Sequence, residues 1–409
     1  YSPMKQLNRW VYAIVGVIVL LFAGLVYAWS VLSTPIAAEF TGWTKAQLSL
    51  TFTLVMILFC IGSLLCGLLA GKLSAKNAVR LGAVLFLAGF YIASRCQTPL
   101  TLYLGFGVLC GLGSGLSYNA VMSTMVKWFP DKPGLISGVL LMGFGGGSFL
   151  IGKLYQAWTP AGIGGWRTSF VVLGIICCVV LAVCSFFFVA PGADFTVPAG
   201  KGGRAVAAPR EDIKPAVMLK RPAFWLYYVW AIAVSAAGLA LISQASGVVW
   251  EASADQTAAS VATIVGLISI CNAVGRVLFG GMYDKFGRSL SMQLVNGLFI
   301  LTSVVLLLAM SSRSVVVVII GFVIGGLAYS GVTPTNSAFC RAYFGPTSYP
   351  VNFPLINSNL IFASFGSTIS GALFDASGSY NATFFLIIGL AAAGILCSLG
   401  ISVCDRKSK

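Results

Sequence analysis

The sequence contains no histidine, only 10 acidic residues, and just 9% charged residues over 409 positions. Soluble chains of such length carry roughly a quarter charged residues, so too little polar surface is present to cover water-facing domains. With 58% hydrophobic residues and a mean hydropathy of +0.95, the solvent implied is lipid, and a soluble enzyme does not fit. The 11 cysteines, among them Cys60, Cys66, Cys110, Cys177 and Cys271, form no CxxC pair and lie in apolar runs. They read as small buried hydrophobes, and neither a metal nor a cofactor is expected. A net charge of +15 raises the question of nucleic acid. That partner needs basic residues gathered on one face with aromatic platforms, whereas here they sit in the gaps between apolar stretches. The start Tyr1-Ser2-Pro3-Met4 lacks the residue order of a cleaved signal peptide, so the first apolar run is expected to be retained.

What is present in abundance is apolar sequence in windows of about 20 residues, the length that spans a bilayer as helix. Twelve such spans are predicted. Six lie at 10–33, 44–70, 79–96, 100–126, 134–158 and 166–190, and six more at 222–249, 257–281, 290–310, 314–341, 353–375 and 380–403. Between the sets runs a Gly-, Pro- and charge-rich stretch, 191–221, that reads as a linker. The expected fold is an all-α integral membrane protein with an N-terminal half at 1–190 and a C-terminal half at 222–409. Most of the 25 lysines and arginines fall on one side if both termini are cytoplasmic, the orientation that positive residues enforce. The expected location is the inner (plasma) membrane.

The halves resemble each other. Gly67-Leu-Leu-Ala-Gly-Lys72 matches Gly280-Gly-Met-Tyr-Asp284-Lys285, and Gly115-Leu-Ser-Tyr118 matches Gly326-Leu-Ala-Tyr329, at nearly equal offsets. Two pseudo-symmetric halves are the plan of carriers built from parallel repeats.

The run Gly280 to Arg288 resembles the loop signature of the major facilitator superfamily, complete in the second half and degraded in the first, where Gly71, Ser74 and Ala75 stand at the acid, glycine and arginine positions. Its glycines suit a tight cytoplasmic turn, and Asp284, Lys285 and Arg288 suit ion pairs that open and close with conformational change. Tyr27-Ala-Trp29-Ser-Val-Leu-Ser-Thr-Pro35 and Lys127-Trp-Phe-Pro-Asp131-Lys-Pro-Gly134 resemble the oxalate/formate antiporter family, which is related to the monocarboxylate transporters. That resemblance covers essentially the whole chain. It implies small carboxylate substrates, a functional tyrosine at Tyr118, an arginine at Arg276 and a monomeric carrier.

Arg276 stands out without any family. An arginine at a helix centre costs about 2.5–3.5 kcal/mol on insertion scales and persists where something uses it. It is the only basic residue predicted deep in the hydrocarbon, and Asn272, one turn earlier on the same face, is expected to clamp a carboxylate together with it. A planar guanidinium matches a carboxylate's two oxygens; the plainer alternative is a structural arginine bonded to backbone carbonyls. The repeat maps Arg276 and Asn272 onto Ser63 and Phe59, so the charge comes from one half. The opposite wall is then expected from Tyr27, Tyr118, Asn119 and Phe144, with Tyr329 and Phe365 shaping an apolar pocket. Each aromatic taken singly could equally be packing.

Oxalate carriers of the resembled family place a lysine in helix eleven where this sequence has Phe365. One buried cation balances one carboxylate, which favours monocarboxylates such as lactate, pyruvate or formate over a dianion. Every acidic residue falls in a loop or near a helix end. Proton symport would therefore load the proton with the substrate or on an end-located acid such as Glu39 or Asp375, whereas anion exchange needs no proton. Alternatives are a dicarboxylate exchanger using Lys153 and a membrane anion receptor, the latter requiring a signalling domain that these residues do not suggest. The glycines at 111–115 and 143–147 follow no strand and flank no phosphate-cradle lysine, so they read as close helix packing.

Overall fold

The computed structural model describes residues 7–197 and 208–409, so part of the expected linker lies outside the described residues. Among these, twelve helices are long and apolar enough to cross a membrane. They are α1 (Arg9–Ala23), α2 (Lys45–Leu68), α3 (Ala75–Ser94), α4 (Pro99–Trp128), α5 (Pro133–Trp158), α6 (Gly165–Cys184), α7 (Pro222–Ala252), α8 (Ala258–Phe286), α9 (Arg288–Ser312), α10 (Val315–Phe344), α11 (Tyr349–Ser377) and α12 (Asn381–Lys407). A helix satisfies its own backbone donors and acceptors, which is why apolar windows of this length take that form in lipid.

The ends obey local chemistry that a hydropathy window does not resolve. Ser74 caps α3 by accepting from Asn77 N at 3.3 Å, so the helix starts four residues before the apolar run. Thr257 and Ser260 form a reciprocal capping box at the head of α8. At its other end α8 runs on to Phe286. Asp284 and Lys285, expected beyond the end of the span, are therefore helical. The turn itself is Gly287 alone, at φ 87° and ψ −176°, a conformation open to glycine and strained for other residues.

Several spans are interrupted. After α1 the chain tightens into a 3₁₀ segment, Gly24–Ala28, then continues as Trp29–Leu32 and Thr34–Glu39. A π-helical stretch occupies Tyr103–Cys110 inside α4. α10 breaks at Gly331, and α11 consists of Tyr349–Asn357, Asn359–Ala363 and Phe365–Ser377, with Pro354 within its first piece. Proline removes one backbone bond of the ladder and crowds the preceding turn, which accounts for a break near it.

The chain forms two compact units. The first holds the described residues before Ala208 together with Tyr349–Pro354; the second holds Ala208–Ser348 and Leu355–Lys409. Within the first, α1 packs on α5, α2 on α4, and α3 on α6; within the second, α7 packs on α11, α8 on α10, and α9 on α12. The two Gly-Leu-x-Tyr segments occupy matching places. Gly115 lies against the backbone of Phe59 and Ser63 on α2, and Gly326 against Ile268 and Cys271 on α8. The glycines of α5 are packing sites as well: Gly143 lies against Val17 and Gly147 against Leu21, both on α1.

Candidate substrate site

Ile270, Val274 and Leu278 of α8 are all more than half exposed. Their four-residue spacing makes one stripe, the face turned outward from the unit. Arg276 sits two residues past Val274, about 200° round the helix at about 100° per residue, and is 7% exposed. Its Nε donates to Asn272 Oδ1 at 3.3 Å, which orients the guanidinium from one turn below. Gly275, beside it, receives Ser330 of α10, and Tyr329 lies within electrostatic reach of the Arg276 charge. The second unit thus gathers Arg276, Asn272 and Tyr329. Phe365 is 60% exposed, while its neighbour Gly366 is buried against Ala236 of α7.

In the first unit, Tyr118 (α4) and Phe144 (α5) are buried, with ring centroids 5.1 Å apart. Phe59 of α2 completes the group, 5.0 Å from Tyr118 in an edge contact and 5.7 Å from Phe144. Phe353 stacks on Tyr118 at 6.0 Å. Asn119 Nδ2 donates to the carbonyls of Ser63, at 2.7 Å, and Pro350, at 2.8 Å. The buried Ser63 hydroxyl has no partner among the described residues. Phe59 was legible only as the repeat counterpart of Asn272, and Phe353 carried no signal, because an aromatic in an apolar run looks like any other. The Tyr27 side chain lies outside the described residues. Trp29, in the same motif, is committed to structure: its indole donates to Leu48 O at 2.9 Å and stacks on Phe106.

The charged run after α8 has a definite partner set. Arg288 is buried; its Nε donates to the Tyr343 hydroxyl at 3.0 Å, and its terminal nitrogens reach Ser398, Ser402 and, at 3.8 Å, Asp405. Tyr343 donates to Asp405 Oδ2 at 2.6 Å, and Arg210 pairs with Asp405 Oδ1 at 3.1 Å. The carboxylate that answers Arg288 thus comes from the last turn of α12. Asp284 is half-buried, and exposed Lys285 lies over the Phe286 ring at 5.2 Å.

Two further ion pairs fix ends of the first unit. Arg9 reaches both oxygens of Asp131, at 2.6 and 3.1 Å, and lies over the Phe129 ring. Burial pushes the Asp131 carboxyl up, but bonds from Arg9 and its own backbone and the charges of Arg9 and Lys132 outweigh that and hold it below its ordinary value. Glu39 accepts from Arg167 Nη2 at 3.2 Å and from the Trp166 indole at 2.6 Å, and Arg167 also binds the carbonyls of Ser94 and Cys96. Both Glu39 oxygens are therefore engaged. Lys153 is exposed beside Phe149. Among the described residues, no three His, Cys, Asp or Glu side chains gather as a metal site would require.

Residues 12–357 match the family model of the Major Facilitator Superfamily. The uncharacterized MFS-type transporter YhjX of Escherichia coli (strain K12) is 27% identical over 289 residues, covering 69% of this chain and 68% of that protein. The oxalate:formate antiporter of Oxalobacter formigenes is 25% identical over 293 residues, covering 71% and 67%. Monocarboxylate transporter 13 of Rattus norvegicus is 25% identical over 350 residues, covering 83% and 76%. Among solved structures, the transporter FucP in its outward conformation aligns with a TM-score of 0.69 at 15% identity, over 96% of this chain and 98% of that one; at that identity the likeness concerns the fold. With a family model matched over most of its length and twelve membrane-length helices in two units, this chain belongs to the major facilitator superfamily and is a multi-pass membrane transporter.

Proposed function

We propose that the protein is a secondary active carrier of small monocarboxylate anions, of the size of lactate, pyruvate or formate, working by alternating access. The observation that carries this reading is Arg276, a 7% exposed arginine within a membrane-length helix, its guanidinium oriented by Asn272. Such a group presents a forked edge of N–H donors that matches the two oxygens of a carboxylate. The names of two relatives concern the same chemistry, oxalate and formate in one and monocarboxylates in the other. A single cation supports a monoanion, since a second carboxylate in a low-dielectric site needs a second positive charge. Residue 365 is phenylalanine, and Lys153 is exposed beside Phe149.

For coupling, proton symport is the reading we favour, with the proton loaded alongside the substrate. Glu39, one of the end-located acids expected as a carrier, has both oxygens held by Arg167 and Trp166. That same engagement favours anion exchange as the second reading. The distribution of lysine and arginine supports a cytoplasmic location for both termini in a plasma membrane.

Uptake of radiolabelled lactate, pyruvate, formate and oxalate into proteoliposomes, with and without an inward proton gradient, tests all of this. Accumulation of a monocarboxylate driven by the gradient is expected. Arg276→Ala is expected to lower uptake efficiency by at least about 30-fold, the effect of removing a charged partner worth some 2–5 kcal/mol. Uptake that requires a preloaded anion would establish exchange instead. Wild-type uptake by Arg276→Ala would remove the arginine from the site.

A further inference from the structure

Consecutive residues of α10 are seated in notches on two different helices. Ser330 occupies the space left by Gly275 of α8, where an added Cβ would lie 2.7 Å from Ser330 Cβ. Tyr329 lies against Gly238 of α7, where an added Cβ would fall within 2.8 Å of the ring's Cγ and Cε2. Real Cβ atoms essentially never approach other atoms within 3.0 Å. α7 and α10 also meet where Leu241 faces Gly325, a second contact that resists separation of the helices in a densely packed interior. A side chain at position 238 would therefore displace the Tyr329 ring. Gly275, the other notch, directly precedes Arg276 in α8, and the Ser330 seated in it directly follows Tyr329, so the residue after Tyr329 is held against the residue before Arg276, within reach of whose charge Tyr329 lies.

We propose that Gly238 is a specificity-determining residue: by admitting the Tyr329 ring against α7, it sets how much room is left beside Arg276 for the carbon substituent of a bound acid. The inference rests on the carboxylate reading of Arg276. It assigns position 238 a role in size selection, with no contact of its own to the substrate. A formate anion has no substituent to accommodate, while lactate carries two carbons beyond its carboxylate. A ring displaced by a methyl group at 238 therefore penalises lactate more than formate.

The experiment is proteoliposome uptake of radiolabelled lactate and formate by the wild type, Gly238→Ala, Tyr329→Ala, the double variant Gly238→Ala/Tyr329→Ala, and Arg276→Ala. Gly238→Ala is expected to lower the lactate-to-formate ratio of uptake efficiencies about tenfold, the scale on which pockets discriminate a small apolar group. In the Tyr329→Ala background the same substitution is expected to leave the ratio unchanged, because the ring through which it acts is gone. Alanine is the better helix former, so a loss on Gly238→Ala does not arise from weaker helix propensity. If Gly238→Ala alone does not fold, recovery of folded, active protein in the double variant supports the ring contact, and failure of the double variant overturns it. An unchanged ratio in Gly238→Ala, or an equal drop in both backgrounds, overturns the inference while a dead Arg276→Ala leaves the carboxylate reading standing. Normal uptake by Arg276→Ala overturns that reading, and this inference with it.

Discussion

At the scale of single residues, the second unit shows how a membrane helix keeps a charge. Arg276 is turned away from the exposed Ile270, Val274 and Leu278 stripe, and Asn272 takes its Nε. Asn272 is on this basis a positioning residue, holding the plane of the guanidinium without being a charge itself. Asn272→Leu is expected to raise the KM for monocarboxylate uptake about tenfold, the effect of losing a hydrogen bond to a charged group, with a smaller change in the maximal rate. A KM equal to that of the wild type would show that the guanidinium is oriented by other groups. In the first unit, Tyr118 is surrounded by Phe59, Phe144 and Phe353. Its burial came from that packing and could not be told from function in the sequence, where one aromatic in lipid-length helix resembles the next.

At the scale of elements, glycines and terminal charges hold helices together. A Cβ at Gly147 would come within 2.9 Å of Leu21 Cα and 2.8 Å of its carbonyl carbon. Backbone atoms cannot rotate out of the way, so Gly147→Ala is expected to cost about 1–3 kcal/mol as an overpacking change. A lowered melting temperature in detergent is the readout, and an unchanged one would mean that α1 and α5 can part freely. The head of α1 is tied by Arg9 to Asp131 in the loop after α4. Since the Asp131 carboxyl titrates below its ordinary 3.8, the stabilisation is complete above that value and is lost as pH falls through the lowered folded-state value. Wild type is therefore expected to melt above Asp131→Asn at neutral pH, with the gap closing only below about pH 3.8. A gap that persists to lower pH would mean that the pair does not account for it. Asp131 belongs to a motif legible in the sequence, but no local pattern names Arg9, more than a hundred residues earlier, as its partner.

At the scale of the whole molecule, two units of like helix pairing differ in charge: Ser63 and Phe59 stand in one where Arg276 and Asn272 stand in the other. On the reading proposed for Arg276, the carrier is asymmetric in function although repeated in structure. The lysines and arginines between the spans predict a second whole-molecule property, the orientation. A C-terminal green fluorescent protein fusion is expected to fluoresce and a C-terminal alkaline phosphatase fusion to be inactive, as for a cytoplasmic terminus. The opposite pair of results would reverse the orientation, and with it the side from which uptake is read.

Sequence alone was enough to read a chain built for lipid, with twelve membrane-length spans, two similar halves and one arginine, Arg276, in the middle of a span. These follow from local quantities: apolar windows of about 20 residues, the spacing of charges between them, and a single cation where none is cheap. What came only with the folded chain is that Arg288 is answered by Asp405 and Tyr343, that Glu39 is held by Arg167 and Trp166, and that Tyr329 is seated on Gly238. Each of these joins residues distant in the chain or depends on how closely two backbones approach. Such contacts are set by packing between helices, which no local window of sequence contains.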